Sequence, residues 1–229
     1  MPASIITGRD IVKTFGKNEN AFSALKGVSL DIKEGESIAI IGKSGSGKST
    51  LMHLLALLDK PTGGSINVHG TDSAKMRGRT VETLRNQEFG FVFQQFFLNG
   101  NSTALENVVL PLKIAGVRAR ERRRRGIAAL KLVQLEDKVK SKARDLSGGQ
   151  KQRVVIARAL INNPNVIFAD EPTGNLDTVT GNHIVDMLFK LNKQGITLII
   201  VTHDEDLAKH CSRQIRMKDG KVESRSLMR

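Results

Sequence analysis

The sequence predicts an α/β protein whose core is a parallel β-sheet. Three short, continuous apolar runs have the composition of strands buried on both faces, and each is followed by a polar turn and a helix-like segment. These runs are residues 37–41, 166–169 and 197–201. The helix-like segments repeat apolar residues at helical spacing, which gives each a face to pack on the sheet. Such residues are Val154, Ala157 and Ile161, and Ile184, Leu188 and Leu191.

The rest of the chain follows two other patterns. Residues 5–15, 22–32 and 65–68 read as extended segments separated by Gly, Asn and Lys turns, so we expect an antiparallel edge sheet. Residues from about 98 to 143 carry many charges and no buried-strand pattern, which predicts a helical insert. We therefore predict one domain, 1–229, with a lobe that contains the sheets (1–97 and 144–229, including the edge sheet) and a helical subdomain (about 98–143).

The composition limits the function classes. The chain has 36 Lys and Arg against 23 Asp and Glu, a formal net charge of +13. Such an excess is typical of proteins that bind nucleic acid, an anionic membrane surface or phosphate-rich ligands. The chain has nine Phe but no Tyr or Trp, and no basic stretch is interleaved with aromatics, which argues against a base-stacking RNA surface. No apolar run approaches the roughly 18 residues of a membrane span.

The cysteine content and the first residues bear on the compartment. Cys211 is the single cysteine, so no intrachain disulfide can form, and we interpret it as an inert thiol rather than a reactive one. The start, Met1-Pro2-Ala3-Ser4, lacks the basic and apolar regions of a secretory signal. We expect a cytoplasmic protein.

A loop directly after the predicted strand 37–41 matches G-x-x-x-x-G-K-[ST] at each fixed position and leads into the helix-like run 50–58. The loop reads Gly42-Lys43-Ser44-Gly45-Ser46-Gly47-Lys48-Ser49. Its glycines allow a tight turn whose backbone N–H groups point at phosphate oxygens. Lys48 adds charge for the β- and γ-phosphates, and the Ser49 hydroxyl is suited to Mg²⁺. The strand-then-helix context favours this phosphate loop over a flexible Gly/Ser turn.

The predicted strand 166–169 runs into two adjacent carboxylates, Asp170 and Glu171. The carboxyl ends of parallel strands are where α/β proteins bind ligands. Asp170 is expected to hold Mg²⁺, and Glu171, aimed differently by the strand alternation, to polarise an attacking water. Such a pair alone often only solvates a turn. Together with the phosphate loop it predicts the second half of a P-loop ATPase site.

The segment Leu146-Ser147-Gly148-Gly149-Gln150 directly precedes the helix-like run 151–161. Ser and two Gly at a helix N-terminus form a second anion-binding surface. This segment resembles the signature motif of ABC ATPases. With the phosphate loop and the carboxylate pair, it identifies the chain as a member of that family over essentially its whole length.

The resemblance implies a fold, an activity and partners. The fold is an ABC-type P-loop NTPase with a RecA-like parallel core sheet, an N-terminal antiparallel β-subdomain and an α-helical subdomain insert. The activity is hydrolysis of ATP with Mg²⁺ in a homodimer that forms on ATP binding, where the signature of one subunit closes over the γ-phosphate held by the other. The dimer would drive a separate integral membrane permease and sit, through it, on the inner face of the cell membrane.

Further positions match the family pattern. Gln94, after the strand 89–93, is similar to the Q-loop glutamine that touches Mg²⁺. Asp177 is similar to the D-loop aspartate at the dimer seam, and His203 to the switch histidine that contacts the γ-phosphate. Phe15 falls where the family places an aromatic ring under the adenine, although an edge-strand Phe is more often part of the core.

The resemblance thus assigns a role to each candidate residue. Catalysis is assigned to Lys48, Gln94, Glu171 and His203, and Mg²⁺ binding to Ser49, Gln94 and Asp170. In one subunit the ATP-binding residues are Phe15, Gly42, Lys43, Ser44, Gly45, Ser46, Gly47, Lys48, Ser49 and Thr50. The opposite subunit contributes Ser147, Gly148, Gly149, Gln150 and Asp177.

Two stretches resemble the macrolide-exporter and lipoprotein-release branch, in which the partner exports a substrate or transmits force to envelope components. They are Gly90-Phe91-Val92-Phe93-Gln94-Gln95 and Thr103-Ala104-Leu105-Glu106-Asn107-Val108. Residues 97–102 depart from the Leu- and Pro-containing segment of relatives, at the place where a membrane partner docks. The identity of that partner and the transported molecule stay open.

Two other functions fit the sequence less well. A soluble ABC ATPase acting on nucleic acid is suggested by the net charge, but such proteins usually carry two cassettes, a long coiled coil or zinc-binding cysteines. A non-hydrolysing switch is disfavoured because Glu171 and His203 are both present.

The basic run from Arg122 to Arg125 is expected on a helix whose Ala128, Leu132 and Leu135 pack inward, which makes the run a solvated face. Contact with an anionic membrane surface is the alternative.

Overall fold

The computed structural model describes residues 3–227. The described residues do not include Met1, Pro2, Met228 and Arg229. The prediction drawn from Met1-Pro2 and the two ends of the predicted domain therefore lie outside the described residues. The chain forms two compact units. One comprises the residues up to Arg85 and those from Asn192 onward, and the other is Asn86–Leu191.

Strands and helices alternate along most of the chain. The strands are β1 (Ser4–Phe15), β2 (Phe22–Lys33), β3 (Ser37–Ile41), β4 (Gly63–Val68), β5 (Thr71–Asp72), β6 (Phe89–Phe93), β7 (Val166–Asp170), β8 (Thr197–Thr202), β9 (Arg213–Lys218) and β10 (Lys221–Leu227). The α-helices are α1 (Lys48–Leu55), α2 (Gly78–Glu88), α3 (Ala104–Val108), α4 (Leu110–Ile114), α5 (Ala119–Leu132), α6 (Gly148–Leu160), α7 (Thr178–Lys193) and α8 (Glu205–Lys209). This mixed pattern confirms the predicted α/β class.

The first unit contains an antiparallel sheet in the order β2-β1-β4-β5. β1 pairs antiparallel with both β2 and β4, so the three segments predicted as an antiparallel sheet do form one. Alternate residues on β2, including Val28, Leu30 and Ile32, are buried, and the residues between them are more exposed. One face of the sheet therefore packs on the core of the unit, as the period of two in a strand requires.

The same unit contains the parallel strands of the core. β3 lies between β8 and β9 and runs parallel to both. All residues of β3 and β8 are buried, which explains why the predicted strands 37–41 and 197–201 have no polar alternation. β10 pairs antiparallel with β9. The sequence analysis did not predict this pair of strands.

In the second unit β6 runs parallel to β7, and α6 packs on β6. The approach is close because a Cβ at Gly90 would lie 2.7 Å from the Ala159 carbonyl oxygen. The predicted strands 89–93 and 166–169 and the helix over 151–161 are confirmed, and Val154 and Ala157 are buried as expected. This packing fixes the helix that begins at the signature segment.

Helices α3, α5 and α6 pack together in the second unit, and here one sequence prediction is wrong. Ala128 and Leu132 are exposed, the latter by 72%, whereas the inward face of α5 carries Gly126, Ala129, Leu130 and, just beyond, Val133. Gly126 is the cause: a Cβ there would overlap Val109 and lie 2.5 Å from Leu105 Cδ1. The helix turns its smallest residue to the tightest contact, which rotates Ala128 and Leu132 outward. The expected burial of Leu135 is confirmed.

The interpretation of Arg122 to Arg125 as a solvated face is wrong for half of the run. Arg122 is half-buried and donates to the Val117 carbonyl oxygen at 2.6 Å, and Arg125 donates to that of Ile161. Arg123 and Arg124 are exposed. The first pair holds the turns at the ends of neighbouring helices, and only the second pair faces solvent.

Two further expectations concern the remaining chemistry. Burial raises the pKa of the Cys211 thiol to about 12, so the thiol stays protonated at neutral pH and is a poor nucleophile, as expected. Within residues 3–227, no helix combines the length and the apolar character that a bilayer crossing needs.

Candidate functional site: two phosphate-binding helix ends

The phosphate loop joins β3 to α1 in the first unit. Gly42 and Gly47 both have positive φ, 151° and 98°. A Cβ at Gly42 would overlap the Met217 carbonyl oxygen, and one at Gly47 would lie 2.7 Å from that of Ala24. These positions therefore require glycine both for backbone conformation and for space. The Gly220 N–H donates to the Ser46 carbonyl oxygen at 3.2 Å, so the β9–β10 turn supports the loop from below.

Lys48 is held inside the loop that precedes it. Its Nζ donates to the carbonyl oxygens of Gly42 at 2.8 Å and Lys43 at 3.1 Å. The ammonium group is thus tethered next to the backbone N–H groups of the loop. Among the described residues no side chain caps the N-terminus of α1, and its first turn has no acidic residue. The helix end remains available to an anion.

His203 leaves the same edge of the core sheet as the phosphate loop. Ile41 and Thr202 are register partners in the parallel pair β3–β8, and Gly42 and His203 directly follow them. The His203 side chain is exposed. The structure thus brings the predicted switch histidine to the start of the loop.

Phe15 ends β1 in the same unit. Its ring is 45% exposed, and the Lys13 ammonium lies 5.0 Å from the ring centroid. The ring is therefore not a core residue. Part of the ring is open to solvent, and its role under an adenine stays a prediction.

In the second unit Gln94, Asp170 and Glu171 lie at the carboxyl ends of β6 and β7. Phe93 and Asp170 are register partners in the parallel pair β6–β7, and Gln94 directly follows Phe93. Asp170 is the last residue of β7, and Glu171 beyond it has left-handed backbone, φ 44°. Glu171 therefore lies in the turn that follows β7 and not on the strand itself.

Asn175 is a neighbour of Gln94 that sequence reasoning missed. Its Nδ2 donates to the Gln94 carbonyl oxygen at 2.8 Å, and its Oδ1 lies 3.5 Å from Gln94 Nε2. A Cβ at Gly174 would lie 2.8 Å from Gln94 Nε2, so that glycine makes room for the carboxamide. The one feature of the sequence that could have indicated this contact is a carboxamide residue in the turn between Glu171 and Asp177. It could not be assigned because its partner is distant in sequence.

The signature segment caps α6. The Ser147 Oγ accepts from the Gln150 N–H at 3.3 Å, and the Gln150 Oε1 accepts from the Ser147 N–H at 3.0 Å. This reciprocal capping box leaves the remaining N–H groups of the first turn for a ligand.

The segment after Glu171 packs against the signature glycines of the same chain. Leu176 Cδ2 would lie 3.6 Å from a Cβ at Gly148, and a Cβ at Gly149 would overlap the Thr180 side chain. Asp177 accepts from the Thr180 N–H at 3.0 Å, which holds the pKa of its carboxyl below the usual range. The two glycines therefore leave space for the segment that carries Asp177.

Helix α6 also contacts two turns through side chains that the sequence analysis did not single out. Gln152, 1% exposed, donates from Nε2 to the Pro172 carbonyl oxygen at 2.7 Å, directly beyond Glu171. Arg158 donates to the carbonyl oxygens of Phe97 at 2.7 Å and Phe96 at 3.1 Å. Burial lowers the pKa of the Arg158 guanidinium. One helix thus carries the signature and fixes the turns that follow Gln94 and Glu171.

Replacing Gln152 by Glu tests how strongly that turn is held. A carboxylate would face the Pro172 carbonyl oxygen without a proton, so we expect the free energy of unfolding at neutral pH to fall by about 2–3 kcal/mol. Burial would raise the folded pKa of the new carboxyl above its unfolded value, so the deficit should be smaller at pH 5 than at pH 8. Urea denaturation at both pH values measures this.

Gln194→Glu is the matched control, because Gln194 is exposed and undergoes the same change of charge. An equal, pH-independent loss in both variants would contradict the assigned contact.

The residues present suit a triphosphate with Mg²⁺. Within the described part of the chain, no three His, Cys, Asp or Glu side chains gather closely enough to hold a metal ion. The predicted donors are one hydroxyl, one carboxamide and one carboxylate, from Ser49, Gln94 and Asp170. Such a set suits Mg²⁺, which binds few protein oxygens and keeps phosphate and water ligands. ATP fits the loop through Lys48 and the uncapped start of α1.

Comparisons with known proteins identify the family of the chain. The family model described as ABC transporter matches residues 25–174, which include the phosphate loop, Gln94, the signature and both carboxylates. An uncharacterized ABC transporter ATP-binding protein of Thermotoga maritima is 48% identical over 214 residues, 93% of this chain and 92% of that protein. A macrolide export ATP-binding/permease protein of Brucella melitensis is 46% identical over 220 residues. That match covers 96% of this chain and 34% of the relative, so the chain spans about a third of its length.

Solved structures of similar fold are also ABC transporter cassettes. MJ0796, an ATP-binding cassette solved as a dimer in a post-hydrolysis state bound to ADP and Pi, has a TM-score of 0.89 and 44% identity and covers 98% of this chain and 99% of its own. cbiO1 from Clostridium perfringens, part of an ABC transporter complex, has a TM-score of 0.86 and 32% identity, covering 98% and 88%. Nothing among these relatives supports the nucleic-acid alternative. The chain belongs to the ABC transporter family, as an ATP-binding cassette that hydrolyses ATP.

Proposed function

We propose that the chain is the motor subunit of an ABC transport complex and works as a homodimer that holds two ATP molecules between its subunits. The carrying observation is that one chain presents two anion-binding helix ends, α1 behind the phosphate loop and α6 behind Ser147. In the composite site the triphosphate would contact α1 of one subunit and α6 of the opposite subunit. The dimeric state of the relative MJ0796 with ADP and Pi supports the assignment.

The composite site divides its residues between subunits. Phe15 and the loop from Gly42 to Thr50 would bind the nucleotide in one subunit, with Lys48 on the β- and γ-phosphates. The signature from Ser147 to Gln150 and Asp177 would complete the site from the opposite subunit. When bound, Mg²⁺ supplies positive charge that neutralises the phosphates during transfer.

Glu171 would act as the base that polarises the attacking water, and His203 would contact the γ-phosphate. Asp170, Ser49 and Gln94 would hold Mg²⁺, with Gln94 fixed by Asn175. Closed subunits would exclude bulk solvent and keep only the attacking water at the γ-phosphate, and the charges left after hydrolysis would favour reopening. This opening and closing is the mechanical output of the subunit.

The partner would be an integral membrane permease, through which the chain sits on the inner face of the cell membrane. A surface cavity of about 280 Å³ in the second unit is a suitable docking place. Its lining includes Phe97, whose ring is 65% exposed, and the basic side chains Arg144 and Lys151. The branch resemblance favours export or force transmission, and the macrolide export relatives carry permease in their name.

Mixing two inactive variants tests the composite site. Lys48→Ala disables the loop and Ser147→Arg the signature, so each homodimer should be inactive. A mixed dimer keeps one intact loop facing one intact signature. Half of randomly mixed dimers are mixed, so ATPase activity should recover to about a quarter of the wild-type value.

Mixing Lys48→Ala with Ser49→Ala is the control, since both changes lie in the loop and should give no recovery. The composite site is contradicted if the loop and signature variants also fail to rescue each other while the wild-type rate stays linear in concentration on dilution.

A further inference from the structure

The turn between α4 and α5 exposes basic and apolar side chains together. Residues 113–120 are all exposed except the half-buried Val117, and Ile114 has 72% of its surface in solvent. No Asp or Glu occurs among residues 109–120. We use the name basic tip for Lys113, Ile114, Arg118, Arg120 and Arg123.

The basic tip and the residues around it carry a large excess of positive charge. Seven basic residues and one acidic residue lie between Lys113 and Arg125. Arg122 and Arg125 donate to carbonyl oxygens, and Arg124 takes up the one carboxylate, Glu121, through bonds of 2.9 and 2.7 Å. Within residues 3–227, the four cations of the basic tip form no ion pair.

An open cavity of about 440 Å³ lies against these arginines. It is lined by Arg118, Arg120, Arg123, Arg124, Glu121 and Ile127. Guanidinium groups around an open volume provide paired donors of the geometry that phosphate oxygens accept. The apolar side chain of Ile127 is part of the lining. The space suits a phosphate-bearing group attached to an apolar body.

We propose that the basic tip docks on an anionic phospholipid bilayer, with its arginines on lipid phosphates and Ile114 among the upper acyl chains. Exposed cations beside an exposed aliphatic side chain are typical of interfacial membrane contacts. A nucleic-acid surface would need no such aliphatic group and usually adds aromatic side chains, which residues 109–132 lack. This contact is made by the chain itself and is additional to attachment through a permease.

Vesicle binding by the full-length chain tests the proposal. The protein is sedimented with vesicles of phosphatidylcholine alone or mixed in equal parts with phosphatidylglycerol. We expect binding to the mixed vesicles only, weakened at high salt because exposed charges are screened. Each cation near an anionic surface contributes about a fivefold factor in affinity. The triple change Arg118→Gln, Arg120→Gln and Arg123→Gln should therefore weaken binding by about a hundredfold.

Two further variants point in opposite directions. Ile114→Gln should weaken binding several-fold without a change of charge, because it removes the inserted aliphatic group. Glu121→Gln should strengthen binding about fivefold, because it removes the one acidic residue and releases Arg124. If the basic tip bound vesicles through charge alone, Glu121→Gln would still strengthen binding, but Ile114→Gln would not weaken it.

The matched control removes three exposed cations elsewhere: Lys75→Gln, Arg77→Gln and Arg79→Gln. It should bind nearly as the wild type does, and basal ATPase activity should be unchanged in every variant. Equal loss in both triple variants, equal binding to both vesicle types, or binding to double-stranded DNA that the vesicles cannot displace would each overturn the proposal. Inorganic phosphate at millimolar levels should not displace the vesicles, and displacement would count against the lipid surface as ligand.

Discussion

Replacing Glu171 by Gln is expected to abolish ATP turnover while ATP still binds. A positioned general base contributes about 10²–10⁴-fold to rate, so kcat should fall at least about a hundredfold. Gln has the shape of Glu and imposes the same demand on the left-handed backbone at this position, φ 44°. Without hydrolysis the closed state has no route to reopen, so a nucleotide-bound dimer should accumulate. Phosphate release measures the first effect, and size-exclusion chromatography with ATP the second.

Glu136→Gln is the matched control, because Glu136 is an exposed carboxylate in the same unit. It should hydrolyse ATP as the wild type does. A Glu171→Gln protein with normal turnover would remove the base from this position, and one that loses nucleotide binding would indicate a structural role instead.

Replacing Lys48 by Ala is expected to remove ATP binding itself. The tethered ammonium would donate charge-assisted hydrogen bonds to two phosphates, together about 3 kcal/mol. Their loss raises Kd by about two powers of ten or more. A fluorescent nucleotide titration measures this change.

Because Lys48 also donates to Gly42 and Lys43, its removal releases the loop. Lys48→Arg separates these effects, since it keeps the charge in a larger group and should lose less affinity. Lys33→Ala, an exposed lysine of the same unit, serves as the control. Unchanged affinity in Lys48→Ala would contradict the role of the loop as a phosphate cradle.

The sequence was sufficient wherever the signal is local. The wholly buried β3 and β8 show as continuous apolar runs because both of their faces are covered. The glycines of the phosphate loop and the serine of the signature follow from backbone conformation and capping, which depend on neighbours within a few residues. For these features, residue type and spacing alone show which conformation or capping contact the chain needs.

The sequence was insufficient where a side chain meets a distant backbone. The residues next to Gln152 and Asn175 in the sequence do not indicate that each side chain holds a turn far along the chain. The rotation of α5 was predicted wrongly because Leu132 has the composition of a core residue, whereas Gly126 decides the packing by close approach to Leu105. For Arg122 and Arg125, which are chemically identical to their exposed neighbours, only the position of a carbonyl oxygen makes the difference.

The capping box at Ser147 has a consequence for how the subunits engage. A serine hydroxyl has two lone pairs and one hydrogen, and the cap uses only a lone pair. The hydrogen is still available to donate to a phosphate oxygen, so helix termination and nucleotide recognition draw on different parts of one group. The partner's nucleotide would thus meet a preformed receptor, and no helical turn need unwind when the two subunits come together or part.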